Sequence, residues 1–123
     1  MKMVWETQKI LDKSIKVNPT AVRVPVLVGH AESIYIETKK DINIDIAKEV
    51  LRNFSGIKLI DDTESIDFPT PFEHGHGTDD VYVGRIRKGL DKNNTLNLWV
   101  VADNVRKGAA LNSIQIAEYL TRS

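Results

Sequence analysis

At 123 residues, with 41% hydrophobic and 28% charged side chains, the chain has the size and balance of one globular domain, and disorder over most of it is excluded. Its 17 basic residues are offset by 17 acidic ones and are scattered along the chain, which argues against a nucleic-acid partner. Cysteine is absent, so the chain supplies no disulfide, no thiolate metal ligand and no cysteine nucleophile. The opening residues, Met1 to Ser14, mix charge with apolar side chains and lack the continuous apolar stretch of a signal peptide. No uncharged run approaches the ~18 residues of a membrane span. A cytoplasmic protein with no membrane partner is the expectation.

In chain order, Val4, Trp5, Ile10 and Leu11 suit one face of a short helix that starts almost at residue 1. With no capping side chain ahead of Lys2, the native helix is expected to begin upstream. Asn18-Pro19-Thr20 signals a turn, and the β-branched run Val22 to Val28 reads as a strand that Pro25 confines to an edge, a bulge or partial pairing. Strict alternation from Glu32 to Lys39 predicts a half-buried strand. Ile46, Val50 and Leu51 fall at helical spacing within a helix over Ile44 to Phe54 that Gly56 stops.

A short strand from Ile57 to Ile60 follows, and the strand–helix–strand crossover should be right-handed if the two strands are parallel neighbours. Residues 61–78, with Pro69, Pro71, Gly75 and Gly77, read as a long loop. Val81 to Ile86 and Leu96 to Val101 form a hairpin through Lys88 to Asn94. A final helix, capped by Asp103 or Asn104, carries apolar residues so broadly that it should pack on more than this chain's own sheet. The sum is an α+β fold, a two-layer mixed sheet with helices on one face.

Chemistry concentrates in two places. Arg23 and His30 flank one β-like stretch; an arginine can pair bidentately with a carboxylate and a histidine can move protons near neutral pH, or each can satisfy local hydrogen bonds only. The loop Glu73-His74-Gly75-His76-Gly77-Thr78-Asp79-Asp80 offers two imidazoles one residue apart, yet no anchored third ligand, so no metal site is expected. Gly108-Ala109-Ala110 would let another backbone or a flat ligand approach closely, or would simply pack on a strand. Neither a G-x-G-x-x-G nor a G-x-x-x-x-G-K-[ST] segment is present, so the chain lacks a dinucleotide phosphate loop.

Three segments taken together, Val22-Arg23-Val24-Pro25-Val26 with Gly29-His30-Ala31-Glu32-Ser33, then Asp80 to Arg87, then Leu98 to Asn112, resemble the aspartate-semialdehyde dehydrogenases from about Lys2 to Leu120. The resemblance implies part of a glyceraldehyde-3-phosphate dehydrogenase-like catalytic domain. On this reading residues 1–123 are one incomplete domain, and the Rossmann domain for NADP and the cysteine-bearing segment belong to sequence outside it. Family members interconvert aspartyl phosphate and aspartate semialdehyde through a cysteine thioester, in the synthesis of lysine, threonine and methionine.

By position, His30 matches the acid/base histidine, Arg23 the arginine that holds the substrate carboxylate, and Lys2 a lysine that contacts phosphate. Asn104 stands where the family presents an amide to the nicotinamide. The implied partners are an upstream dehydrogenase half, a second copy of the chain and a small carboxylate substrate. NADP should not bind tightly to this chain alone, and without the cysteine the chain alone should be inactive. A non-catalytic carboxylate-binding or protein-interaction module built on the same fold is the alternative.

Overall fold

The computed structural model describes every residue except Thr63, Ser65, Ile66 and Ser123. Helix α1 covers Lys2–Ile10, strand β1 His30–Glu37, helix α2 Ile44–Asn53 and strand β2 Ile57–Leu59. A one-turn helix α3, Pro71–His74, precedes strands β3, Val81–Lys88, and β4, Thr95–Ala102. A π-helical turn, Arg106–Ala110, leads into helix α4, Leu111–Arg122. The strands form one mixed sheet in the order β1-β4-β3-β2, with β4 antiparallel to both neighbours and β2 parallel to β3. This is the mixed-sheet α+β architecture expected.

The hairpin β3–β4 is the centre of the protein. Among the described residues other than Pro69, the buried apolar side chains Val83, Ile86, Leu96, Leu98 and Val101 all belong to it. Because strand side chains alternate, Leu98 and Val100 share a face with their register partners Ile34 and Val83. Helix α2 lies over that face through Ile44, Ala47 and Leu51. Asn43 starts the helix by accepting hydrogen bonds from the N–H groups of Asp45 and Ile46. The expected apolar stripe is therefore only partly right: Leu51 faces the core, whereas Ile46 and Val50 are 60% and 59% exposed.

On the opposite face, the Trp99 indole N–H donates to the Pro69 carbonyl at 2.8 Å. Between Gly84 and Arg87 the register shifts by a β-bulge, where Arg85 adopts φ +54°. Asp61 secures the bulge, since its Oδ1 accepts from the Ile86 N–H and its Oδ2 meets the Lys48 ammonium at 2.7 Å. That ion pair ties α2 to the end of β2 and to β3.

Several expectations change. Val22 to Val28 forms no strand; Val26 N–H turns back to the Val24 carbonyl at 2.8 Å, and Val22, Val24 and Leu27 are exposed. Pro25 removes one ladder donor and the tight local turn leaves the segment no straight edge to pair. β1 begins two residues early, at His30. β1 and β2 do run parallel, but β4 and β3 lie between them, so they are not neighbours.

Residues 61–78 are not only loop. Thr70 Oγ accepts from Glu73 N–H with Pro71 opening the turn, a capping signature (Thr-x-x-Glu with Pro at the first helical position) that makes α3. At both ends of the chain the helices bury nothing: Trp5 and Ile10 in α1, and Ile114, Tyr119 and Leu120 in α4, are all more than half exposed.

Candidate functional site

One end of the sheet gathers three stretches that are distant in sequence. His30 opens β1 opposite Ala102, the last residue of β4, and the chain continues directly into Asp103-Asn104. The Asn104 side-chain oxygen accepts from the Gly29 N–H at 3.0 Å, across 75 positions of sequence. Gly29 has φ +95° and its backbone lies against Gly75, where a Cβ on Gly29 would come within 2.8 Å of the Gly75 carbonyl oxygen. Only glycine suits that position on both counts. A Cβ on Gly75 would in turn approach the Gly29 Cα at 3.1 Å.

Asp103 binds the third stretch. It is 2% exposed; its Oδ1 accepts from the N–H groups of Val105 and Arg106, and its Oδ2 accepts from Gly77 N–H at 2.8 Å. These bonds, the one from Arg106 foremost, followed by Gly77, Val105 and the nearby His76, hold its carboxyl below the usual carboxylate range against the opposing effect of burial. Asp103 therefore fastens the turn between β4 and the final helical segment, whose own boundary residue is Val105 rather than either candidate cap, while Asn104 turns its side chain to Gly29. Outside this cluster Arg106 makes an exposed ion pair with Asp79.

His30 is exposed and, by strand alternation, sits on the face of the sheet that carries Ile34. Arg23 is exposed on the irregular segment that precedes β1. Neither side chain makes a hydrogen bond or ion pair among the described residues. Lys2 lies in the first turn of α1 and pairs with Glu6 at 3.6 Å, fully at the surface. The structure thus brings His30 and Asn104 to one end of the sheet through Gly29, and no described contact links Arg23 or Lys2 to them.

Both histidines of the glycine-rich loop have places in this arrangement. His74 Nδ1 accepts from the Thr70 N–H and its ring packs on Tyr82 at 4.9 Å, while His76 stands near Asp103. Among the described residues no group of three or more His, Asp or Glu is placed to hold a metal ion. An open depression of about 410 Å³ is lined by Ser33, Phe68, Arg85, Arg87, Leu98 and Trp99, and none of the four candidate residues borders it. Sequence reading missed Asp103, Gly75 and Gly77 as partners of the His30 segment. The glycine spacing was visible, but nothing in it specifies that Gly75 meets Gly29.

The family model for the semialdehyde dehydrogenase dimerisation domain matches residues 1–107. Aspartate-semialdehyde dehydrogenases of Shewanella violacea and Legionella pneumophila are 56% and 52% identical to the chain over 99% of its length. The chain spans 36% and 35% of those two relatives, about a third of their length. Among solved structures, aspartate semialdehyde dehydrogenase II from Vibrio cholerae superposes with a TM-score of 0.92 at 52% identity, over 99% of this chain and 36% of that one. By its sequence from residue 1 to 107 and by its fold, the chain belongs to the semialdehyde dehydrogenase dimerisation-domain family.

Proposed function

We propose that the chain forms the acid/base and substrate-holding portion of an aspartate-semialdehyde dehydrogenase, and that it works only together with a cysteine-bearing, NADP-binding portion of the enzyme. The observation that carries this reading is the surface it leaves uncovered. Trp5, Ile10 and Leu11, then Val22, Val24 and Leu27, then Ile114, Tyr119 and Leu120 are large apolar side chains at the surface, in or directly after the two end helices and in the segment that carries Arg23. Apolar area of this extent on a folded unit marks surfaces that another part of a protein covers. The rest of the dehydrogenase and a second copy of this chain are the proposed partners.

In this reading Arg23 pairs its planar guanidinium with the carboxylate of aspartate semialdehyde, and Lys2 contributes positive charge for phosphate. The His30 imidazole takes the proton from the cysteine thiol supplied by the other portion, and returns it when the sulfur leaves. The residues present fit one end of the cofactor. The Asn104 amide, its oxygen engaged by Gly29 N–H, has its nitrogen to offer a carboxamide, whereas the chain has no glycine-rich phosphate loop. When bound, NADP accepts or returns the hydride. A cytoplasmic location and a role in making lysine, threonine and methionine follow from the same reading.

The test measures NADPH formation from aspartate semialdehyde, phosphate and NADP, with the chain alone and with a separately expressed cysteine-bearing portion. Activity only in the mixture, lost with His30→Ala and reduced chiefly through KM for the semialdehyde with Arg23→Ala, supports the proposal. Two folded halves that associate without activity would overturn it and favour a non-catalytic carboxylate-binding module.

A further inference from the structure

We infer that Asp103 is a positioning residue for His30, acting through the glycine loop. This rests on the proposed role of His30. The His30 side chain has no hydrogen-bond partner among the described residues, so the direction in which its ring enters a site depends on the backbone that carries it. That backbone is held at Gly29 from two sides. Asn104 Oδ1 takes the Gly29 N–H, and the Gly75 backbone packs against Gly29 so closely that a Cβ on Gly29 would come within 2.8 Å of the Gly75 carbonyl oxygen.

Both holds lead back to Asp103. One carboxylate oxygen fixes Gly77, two residues beyond Gly75, and the other fixes the Val105 and Arg106 amides that directly follow Asn104 in the turn leaving β4. The connections close a circuit: Asp103 to Gly77, along the loop to Gly75, across to Gly29, back through Asn104 to Asp103. A buried carboxylate with three charge-assisted N–H bonds is the rigid member, and each other link is a single hydrogen bond or a van der Waals contact. Removing the carboxylate should free the loop and the Asn104 turn together, and Gly29 with them, while the central strands keep their own ladder.

The prediction is specific to amides. Hydrogen exchange read by NMR on the full chain compares the parent with Asp103→Asn and Asp103→Ala. Exchange at Gly77 and Gly29 should speed by about tenfold or more in Asp103→Ala and by less in Asp103→Asn, with the His30 ring resonances shifted. Amides of Val83 and Leu98 should keep their protection. Gly29 remaining protected while Gly77 opens would overturn the inference, and so would Gly29 opening only in step with Val83 and Leu98. Should Asp103→Ala fail to fold, Gly75→Ala perturbs the same circuit from the loop side and must shift the Gly29 amide and His30 ring signals.

In the activity mixture, Asp103→Asn should lower kcat with KM for the semialdehyde unchanged, because Arg23 lies outside the circuit. A dead His30→Ala beside an unaffected Asp103→Asn refutes the positioning role alone. An unaffected His30→Ala refutes instead the acid/base role of His30, whatever the exchange data show.

Discussion

Gly75→Ala loads the close packing of Gly75 at the candidate site, against Pro71 in its own turn and against Gly29 across it. The new Cβ would meet the Pro71 carbonyl oxygen at 2.6 Å, the Pro71 Cα at 2.9 Å and the Gly29 Cα at 3.1 Å. All three atoms are backbone, so no flexible side chain can swing aside. Overpacking of this kind costs about 1–3 kcal/mol. The native φ of Gly75, −89°, suits alanine, so the reduced freedom of the unfolded chain returns about 0.4–1 kcal/mol. The net runs from about zero to a loss of about 2.6 kcal/mol, which for a chain of this size lowers Tm by up to about 10 °C.

Gly29→Ala should lose more, since it adds a left-handed φ of +95° to a 2.8 Å approach to the Gly75 carbonyl oxygen. Thermal melts followed by circular dichroism give both numbers, and an amide spectrum of the Gly75 variant should show Gly29 displaced. A Gly75→Ala protein that melts at or above the parent with an unmoved Gly29 signal would show that the Gly29–Gly75 contact does not constrain the site.

Trp99→Phe removes the donor to the buried Pro69 carbonyl and should cost about 1–2 kcal/mol by urea denaturation; an unchanged midpoint would mean that water replaces the indole. Lys48→Met strands the Asp61 carboxylate, whose side chain is 4% exposed, and should cost about 3 kcal/mol. Adding Asp61→Asn should restore most of that loss, because an asparagine oxygen still accepts from the Ile86 N–H, and additive losses in the cycle would refute the coupling. The depressed Asp103 pKa sets a pH signature: the stability it confers is complete above the ordinary carboxylate range and is lost as pH falls through its lowered folded value. The Tm difference between the parent and Asp103→Asn should therefore be full near neutrality and close in acid, and a gap independent of pH would contradict it.

Local signals in the sequence revealed the elements and left the assembly largely hidden. The β3–β4 hairpin follows from apolar runs around a Gly- and Asn-containing turn, and α2 from its spacing, because those patterns report on neighbours in sequence. The Val22 to Val28 composition is that of a strand, but a strand needs an edge to pair with, and Pro25 with the turn at Val24 to Val26 removes it. On α2, Ile44, Ala47 and Leu51 were not separable from Ile46 and Val50 until the sheet showed which flank it takes. Thr70-Pro71-x-Glu73 was a readable helix start. Asp103, Gly75 and Gly29 were not readable as a group, since their meeting depends on β1 and β4 pairing, with His30 opposite Ala102, 72 positions away in sequence.

The division between covered and uncovered surface also accounts for where the candidate residues lie. The apolar core is one hairpin backed by α2 and β1, and it reaches neither α1, nor residues 22–27, nor α4. Asn104 and the backbone of His30 belong to the part that this core orders, through β1, β4 and the Asp103 circuit. Arg23 and Lys2 belong to the two segments that it does not. On the proposed reading this is the pattern a divided site requires: the proton-transfer residue is preset within the unit, whereas the anion-binding residues take their final places only when the cysteine-bearing portion covers the apolar side chains beside them. Cross-linking or amide exchange on the mixture should then show α1 and residues 22–27 gaining protection while Gly29 and Gly77 change little. Equal gains at all four places would instead mean that the Asp103 circuit is assembled by the partner.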